Sequence, residues 1–261
     1  MLKNLAILQI DTVDQDSVSA AGLDAGKRSR IVPSRLAQRF IAGKPLVEWI
    51  IRRVGEAHVD GVMVVLSDDA DTGALLPLIP SDTPVYISRK HDSLGRFADA
   101  VREYQPRGVV RIPIETPFVD PALIDRLLTT AAMFEKCDYV GYRHLDGCAA
   151  VASPLGLFAE WYRAKAILKA DEIVTDSSER ADISRSISTR PDWFPQHLLP
   201  VPSELECADV RLSVVDEEDW DHSLTIVDAM RSHDLEWQDV VRFIRETPHL
   251  RQRMETMNQV G

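Results

Sequence analysis

The sequence predicts an α/β fold with a mostly parallel central sheet and flanking helices. Short apolar runs that end in polar turns alternate with longer segments of helical period, which is the pattern of βαβ units. The length of 261 residues and the hydrophobic content of 45% are those of an ordinary globular chain. We expect one domain over residues 1–261, with an arm region at about 140–200 and C-terminal helices over 217–250.

The first half of the chain alternates regularly. Asp120 is expected to cap a helix that has Pro121 at its first position. Residues 11–33 are polar and longer than most strand-to-helix connections, so we expect a functional or mobile loop there. The predicted strands are 5–10, 61–67, 84–88 and 108–114, and the predicted helices are 45–57, 93–104 and 120–135.

The second half of the chain is less regular. Acidic residues at the start of the segment 217–230 favour a helix, because the helix dipole stabilises negative charge at that end. A final helix is followed by a charged tail. The predicted strands are 138–142, 148–153 and 209–215, and the predicted helices are 155–168, 217–230 and 237–248.

Charge and composition exclude several classes of protein. A net charge of -11 opposes general binding to nucleic acid or to a membrane surface, so a phosphate ligand would need a local cluster of Arg or Lys. No apolar run approaches the roughly 20 residues that span a bilayer, and the N-terminus turns acidic too early for a signal peptide. We therefore expect a cytoplasmic protein. The three cysteines show no CxxC pairing that would indicate disulfides or zinc.

The stretch "SRLAQRFIAGKPLVEWI", residues 34–50, has the features of a phosphate-binding loop. Gly43, Lys44 and Pro45 form a turn that opens into an amphipathic run, and polar and positive side chains precede it. In doubly wound sheets, ligands bind at the carboxyl ends of the strands where the strand order reverses. Residues 11–44, which follow the first predicted strand, are therefore the first place to look for a ligand.

Six segments in order resemble the cytidylyltransferases of the CMP-sugar synthetase group, most closely the branch called spore coat polysaccharide biosynthesis protein F. The first is the stretch 34–50 with the following "IRRV", which is similar to that family's N-terminal signature. The others are "DSLGRFADAVREY" (92–104), "RIPIETPFVDPALIDRLL" (111–128), "ERADISRSISTRPDWF" (179–194), "RLSVVDEEDW" (211–220) and "WQDVVRFIRETPHL" (237–250).

This resemblance implies a nucleotide-diphospho-sugar transferase fold and a reaction between CTP and a sugar that gives CMP-sugar and pyrophosphate. It implies carboxylates that hold Mg²⁺, which offsets charge on the leaving group. It also implies a homodimer, because the arm region forms the dimer contact in CMP-sugar synthetases.

Candidate site residues follow from the resemblance. Arg35 keeps the family's arginine, and Arg39 is the nearest replacement for a signature lysine that is missing here. Lys44 belongs to the family's second Gly-Lys, where we expect a mainly structural role, but it stays in the candidate set. The predicted catalytic residues are Arg35 and Arg39, and the predicted nucleotide-binding residues are Gln9, Ser34, Arg35, Arg39 and Lys44.

Two carboxylates are the candidate metal ligands. Glu115 replaces the family's aspartate in a Gly-Asp-Cys-Pro motif and can still bind a cation. In the second acidic motif the aspartate position falls on Val215, and Asp216 follows one residue later. A slip of one residue along a strand turns a side chain to the opposite face, so Asp216 needs a bulge to serve as a ligand.

Three alternatives are open. Lys27, Arg28 and Arg30 in the long loop are a possible replacement phosphate clamp, although a solvated run of charge is the simpler interpretation. The altered signature also fits a catalytically inactive relative that binds a nucleotide or a partner. Asp69 and Asp71 form an Asp-x-Asp pair, typical of metal-dependent glycosyltransferases that bind UDP-sugars with manganese, but acidic helix caps explain this spacing better.

Overall fold

A seven-stranded sheet forms the centre of the molecule, which we describe from a computed structural model over residues 2–11, 30–69, 71–207, 209–230 and 235–260. Its strand order is β5-β4-β1-β6-β8-β7-β9, and β2 and β3 form a separate two-stranded ribbon. The strands are β1 Asn4–Gln9, β2 Phe40–Ile41, β3 Lys44–Pro45, β4 Gly61–Ser67, β5 Val85–Ser88, β6 Gly108–Pro113, β7 Tyr139–Arg143, β8 Glu160–Arg163 and β9 Gln196–Pro200.

The described sheet is parallel except at β8. Strand β8 pairs antiparallel with β6 and β7, whereas β1, β4, β5, β6 and the β7–β9 pair all run in one direction. Residue Glu160, at the start of β8, is therefore opposite Arg111 near the end of β6. The predicted α/β class with a mostly parallel sheet is confirmed.

Helices cover both faces of the sheet. Successive residues of β1 point to opposite faces, so Ala6 and Leu8 join one buried cluster while Leu5 and Ile7 join the other. The helices are α1 Pro33–Ala37, α2 Leu46–Val54, α3 Thr72–Leu75, α4 Ser93–Tyr104, α5 Pro121–Met133, α6 Ala164–Ile173, α7 Ser177–Arg180, α8 Ile183–Ser188, α9 Glu217–Met230, α10 Trp237–Glu246 and α11 Pro248–Val260. Short 3₁₀ turns occur at Leu76–Leu78, Ala150–Ala152 and Ser203–Leu205.

The helices form two layers, one on each face of the sheet. Helices α2, α5, α9, α10 and α11 pack on the face that contains Leu8, and helices α4, α6 and α8 pack on the face that contains Ile7. In the part of the chain that the structure describes, no helix has both the length and the apolar composition to cross a bilayer.

Local signals predicted the first half of the fold well. Helix α4 and strand β4 have the predicted bounds. The Asp120 side chain accepts from the backbone N–H groups of Ala122 and Leu123 at 2.9 and 3.1 Å, and Pro121 opens α5. The predicted cap is therefore confirmed.

Several predictions for the second half were wrong. The predicted helix 155–168 is instead strand β8 followed by α6, because Trp161 and Tyr162 are buried on opposite faces of the sheet. The predicted strand 148–153 is a 3₁₀ turn at Ala150–Ala152. The segment 209–215 does not join the sheet, since the N–H groups of Leu212 and Ser213 both bond the Pro154 carbonyl. The charged tail folds as α11.

Candidate functional site at the carboxyl ends of β1 and β6

The strand order reverses between β1 and β6. After β1 the chain adds β4 and β5 on one side of it, whereas after β6 it adds β7, β8 and β9 on the other side, in the spatial order β6-β8-β7-β9. Ligands in open α/β sheets bind in the crevice outside such a reversal, at the carboxyl ends of the strands. Here those ends carry Gln9, Asp11 and Glu115, and Arg111 lies within β6 just before its end.

The Gln9 side chain is fixed in one orientation. Its Oε1 accepts from Arg111 Nε at 2.5 Å, and because arginine has no acceptor, the amide nitrogen must face the other way. That nitrogen donates to Asp11 Oδ2 at 2.5 Å and to Ser93 Oγ at 3.0 Å. Gln9 is 5% exposed and thus presents donors, not acceptors, to the end of β1.

Arg111 is paired with a buried carboxylate. Its Nη1 donates to Glu160 Oε2 at 2.9 Å, and the other oxygen of Glu160 accepts from the hydroxyls of Tyr139, at 2.6 Å, and Ser184. Burial alone would lower the pKa of Arg111, but Glu160 together with the smaller effects of Tyr162, Asp182 and Asp11 outweighs burial and raises that pKa, so Arg111 is cationic. Burial and the charge of Glu160 raise the pKa of Tyr139, which keeps its hydroxyl protonated as a donor.

Asp11 joins the site to helix α4. Its Oδ1 accepts from Arg96 Nη2, and Arg96 Nη1 donates to the His91 carbonyl at 2.7 Å. The neighbouring Asp92 caps α4 by accepting from the Gly95 N–H group at 2.8 Å. The start of α4 is therefore held against the end of β1 by a buried arginine.

Glu115 is the predicted metal ligand whose carboxylate is not paired with another described residue. Among the described residues, its side chain forms no hydrogen bond or ion pair with another residue. Burial raises the pKa of Glu115, and the nearby charge of Asp11 raises it further, whereas a hydrogen bond from its own backbone and the charges of Arg111 and Arg30 act in the opposite direction. Hard carboxylate oxygens in this state suit a divalent cation, so Glu115 fits the implied metal.

The Asp216 side chain forms hydrogen bonds at the start of α9. Its Oδ1 accepts from the backbone N–H groups of Glu218 and Asp219 at 3.1 and 3.0 Å, so Asp216 caps α9. Its backbone bridges Arg30, and the nearby Val214 N–H group bonds the Glu115 carbonyl at 2.8 Å. Within the described ranges, no group of three or more His, Cys, Asp or Glu residues is arranged to hold a metal.

The predicted phosphate-binding residues around α1 and the β2–β3 ribbon lie in different environments. Arg35 is exposed and has no partner in the described part of the chain. Arg39 forms a two-pronged ion pair with Glu217, at 2.7 and 2.5 Å, and its guanidinium lies 5.5 Å from the centre of the Trp220 ring. Lys44 pairs with Glu48 at 3.2 Å on the surface.

Ser34 connects the predicted phosphate loop to the Asp-x-Asp pair. The Ser34 hydroxyl donates to Asp71 at 2.5 Å, and Asp69 accepts from the Ser67 hydroxyl and from the Asp71 N–H group. Both carboxylates thus have protein partners, in the manner of turn and helix-start residues. Lys27 and Arg28 lie outside the described residues, and Arg30 is exposed.

Four residues with a place in this arrangement were missed by the sequence analysis: Asp11, Arg96, Arg111 and Glu160. The available signal was charge inside apolar strands, as in "GVVRIPI" and "FAEWYR". Buried charges are rare unless they are paired, so an ionisable residue within a strand pattern indicates a partner on a neighbouring strand.

A sequence profile decides the family. The profile of the MobA-like NTP transferase domain matches residues 23–188, which is more than half of the chain. The chain belongs to this family. The predicted relationship of the chain to nucleotidyltransferases of the cytidylyltransferase type is confirmed. The residues that the profile matches in this MobA-like chain include Arg111, Glu115 and Glu160.

Two curated proteins are similar in sequence to this MobA-like chain. Uncharacterized protein MJ1063 of Methanocaldococcus jannaschii is 21% identical over 208 residues, which is 79% of this chain and 82% of that protein. The spore coat polysaccharide biosynthesis protein SpsF of Bacillus subtilis is 22% identical over 162 residues, which is 61% of this chain and 64% of SpsF.

Solved structures share the fold. A cytidylyltransferase from Leptospira borgpetersenii superposes with a TM-score of 0.77 at 15% identity, covering 97% of this chain and 98% of that one. A CMP:2-keto-3-deoxy-manno-octonic acid synthetase in complex with CTP gives 0.59 at 11% identity, with coverage of 88% and 99%. Rv0371c of Mycobacterium tuberculosis in complex with manganese gives 0.55 at 15%, with coverage of 86% and 98%. These likenesses show a nucleotide-diphospho-sugar transferase-like fold.

Proposed function

We propose that this nucleotidyltransferase-like protein transfers CMP from CTP to a sugar for the assembly of a surface polysaccharide or glycoconjugate. The family and the fold of the chain support nucleotidyl transfer in general. Two similar proteins support the choice of CTP and a sugar: one is a spore coat polysaccharide biosynthesis protein, and one structural neighbour was solved with CTP. We expect the reaction in the cytoplasm.

One observation carries the proposal. Glu115 is a half-buried carboxylate without a hydrogen bond or ion pair to another described residue, it lies within the electrostatic influence of the cationic Arg111, and it follows β6 at the reversal of strand order where this fold class binds its ligands. A carboxylate for a cation and a guanidinium for phosphate oxygens are the two kinds of group that phosphoryl chemistry requires. Their proximity is difficult to explain as a purely structural arrangement, because the burial of Glu115 opposes its charged form.

Each candidate residue has a proposed role. A sugar hydroxyl attacks the α-phosphorus of CTP in line, and pyrophosphate leaves. Mg²⁺ held by Glu115, with Asp216 as a second candidate ligand, would offset charge on that leaving group. Arg35 is exposed and without a partner in the described ranges, and Arg39 can exchange its partner Glu217 for phosphate. Gln9, Ser34 and Lys44 are proposed to contact the nucleotide.

A thermal-shift panel tests this function. CTP, UTP, GTP and UDP-sugars are each added with and without magnesium, since a ligand that binds only the folded chain raises the melting temperature. We expect stabilisation by CTP that depends on the metal. Stabilisation by UDP-sugars with manganese would instead indicate a glycosyltransferase that uses Asp69 and Asp71. No response to any nucleotide would indicate an inactive relative.

We also propose that the protein forms a homodimer through its arm region. Large apolar side chains are exposed where α5 ends and along the outer edge of β9: Met133 is 73% exposed, Phe134 43% and Leu198 36%. Exposed apolar patches of this kind commonly mark interfaces. Light scattering after gel filtration should give twice the chain mass of 29.3 kDa, and Leu198→Lys should give a monomer. A wild-type mass of one chain would refute the proposal.

A further inference from the structure

Arg111 has a nitrogen without a partner. Its Nε bonds Gln9 and its Nη1 bonds Glu160, but Nη2 has no acceptor among the described residues. The side chain is only 13% exposed, and Nη2 is not among the fully buried side-chain atoms without a partner, so this nitrogen keeps part of its surface open to the crevice. A cationic donor that the protein holds in place, leaves without an acceptor of its own and keeps open to a crevice can be satisfied by a ligand.

Glu160 is built to hold Arg111 in this position. The Glu160 side chain is 1% exposed, and three side chains satisfy its two oxygens: Arg111, Tyr139 and Ser184. None of these partners is a backbone group of the sheet or of a helix end. The carboxylate therefore stabilises the orientation of a cation and makes no bond that closes a turn or caps a helix.

The neighbouring strand leaves room for this arrangement. The Tyr139 ring lies over Gly141, two residues further along β7, where a Cβ atom would come within 2.5 Å of the Tyr139 hydroxyl. A side chain at position 141 would therefore displace the hydroxyl that bonds Glu160. The close approach of Tyr139 to the backbone requires glycine here.

We infer that Arg111 Nη2 binds a phosphate oxygen of the nucleotide, and that Glu160 is the positioning residue that presents Arg111 to it. This inference rests on the proposed function, because it assigns a phosphate contact in the same site. A guanidinium fixed at two nitrogens retains donors in a planar fork, which matches the oxygens of a phosphate. Glu115, the candidate cation ligand, lies close enough for the charge of Arg111 to act on it.

Titration calorimetry in the presence of magnesium tests the inference with three probes: CTP, inorganic pyrophosphate and cytidine. Arg111→Gln should weaken CTP and pyrophosphate about 10- to 100-fold, which is the usual effect of removing one charged hydrogen-bond partner. The affinity for cytidine should not change, because cytidine has no phosphate. Arg111→Lys keeps the positive charge but not the planar guanidinium, so its affinity for CTP and pyrophosphate should lie between those of Arg111→Gln and the wild type. If Arg111→Gln does not fold, Arg111→Lys replaces it in the test.

Glu160→Gln tests the positioning role. The hydroxyls of Tyr139 and Ser184 can accept as well as donate, so a glutamine amide can keep all three contacts while the charge is removed. We expect a smaller loss of affinity for CTP and pyrophosphate, about 3- to 10-fold, again without a loss for cytidine. Asp138→Asn is the matched control, because Asp138 pairs with Arg163 at 3.2 Å at the opposite end of β8. It should leave all three affinities unchanged.

Several results would overturn the inference. An equal loss of cytidine affinity in Arg111→Gln would show that the arginine supports the site as a whole, and unchanged CTP and pyrophosphate affinities would show that it contacts no phosphate. A wild-type chain that binds pyrophosphate but not CTP refutes cytidylyl transfer, yet its pyrophosphate series still tests Arg111. A chain that binds none of the three probes refutes both proposals.

Discussion

Two buried arginine–carboxylate pairs, Arg111–Glu160 and Arg211–Asp219, are equally exposed but differ in the other hydrogen bonds that they form. In each pair the arginine side chain is 13% exposed and the acid 1%. Arg211 uses all three of its nitrogens, two on Asp219 and one on Asn258, and Asp219 also accepts from the backbone N–H groups of Val215 and Asp216. Arg111, by contrast, keeps one nitrogen without an acceptor in the described chain.

This difference separates a structural pair from a functional one. Asp219 and Asp216 cap α9 reciprocally, each accepting from the backbone N–H group of the other, and Arg211 neutralises the buried charge. The Glu160 pair organises no helix end and directs its arginine to the end of β1. Burial alone therefore does not distinguish the two, whereas the inventory of donors and acceptors does.

The largest effect is expected when the structural pair is broken. Asp219→Ala removes the reciprocal cap and leaves Arg211 as a buried unpaired charge, so we expect a loss of about 3–5 kcal/mol in the free energy of unfolding. Urea denaturation measures it. Glu160→Gln, which keeps its hydrogen bonds, should cost clearly less stability; an equal cost in both variants would remove the distinction between the pairs.

A smaller effect is expected at Gly141. Gly141→Ala introduces a Cβ atom 2.5 Å from the Tyr139 hydroxyl and should destabilise the chain by about 1–3 kcal/mol, as overpacking generally does. It should also weaken CTP binding, because Glu160 loses a hydrogen bond. Tyr139→Phe is the matched variant that removes the hydroxyl without crowding. If Gly141→Ala binds CTP with the affinity of the wild type, the hydrogen bond between Tyr139 and Glu160 is not needed for CTP binding.

Glu115→Gln should stabilise the unliganded protein and abolish turnover. Because the pKa of Glu115 is raised in the folded state, its contribution to stability is complete below the usual value of 4.5 and is lost as pH rises through the raised value. The variant should therefore match the wild type in acid and melt roughly 2–4 °C higher at neutral pH, which corresponds to about 1 kcal/mol. Calorimetry from pH 4 to 8 tests the sign, and a lower melting temperature at neutral pH would contradict it.

The smallest change in stability is expected for a third, exposed pair. Glu217 is 67% exposed, so solvent screens its attraction to Arg39, and Arg39→Ala should shift the melting temperature by less than about 2 °C. The variant also tests the predicted catalytic role of Arg39. A fall in kcat of tenfold or more at unchanged stability would favour that role, whereas unchanged kinetics would limit Arg39 to the surface pair.

Much of the fold was predictable because local signals agree with it. The helix cap at Asp120, the Pro121 start of α5 and the alternation of strands and helices up to α5 all follow from short-range rules. Strand β8 was not predicted, because "EWYR" runs directly into a helix without a turn residue and its apolar run fits either period. Its antiparallel insertion between β6 and β7 depends on tertiary contacts.

The candidate site was predictable only in part. Gln9 and Glu115 belong to the predicted set, Glu115 on the evidence of a motif, and both lie at the carboxyl edge of the central strands. Arg111 and Glu160 are 49 residues apart in the sequence and meet only because β8 pairs with β6. The role of a buried charge depends on its partner, so neither residue could be assigned before the pairing of the strands was known.

The reversed direction of β8 has one more consequence. Because β7 ends and β8 begins at the same edge of the sheet, residues 144–159 form a connection that starts and finishes beside Glu160. A change in the length of this connection leaves the pairing of β8 with β6 and β7 in place, because residues 144–159 contribute no residue to those strand pairs. The edge of the sheet beside Glu160 can therefore accept a longer or shorter excursion without a change in the strands that hold Arg111 and Glu160 together.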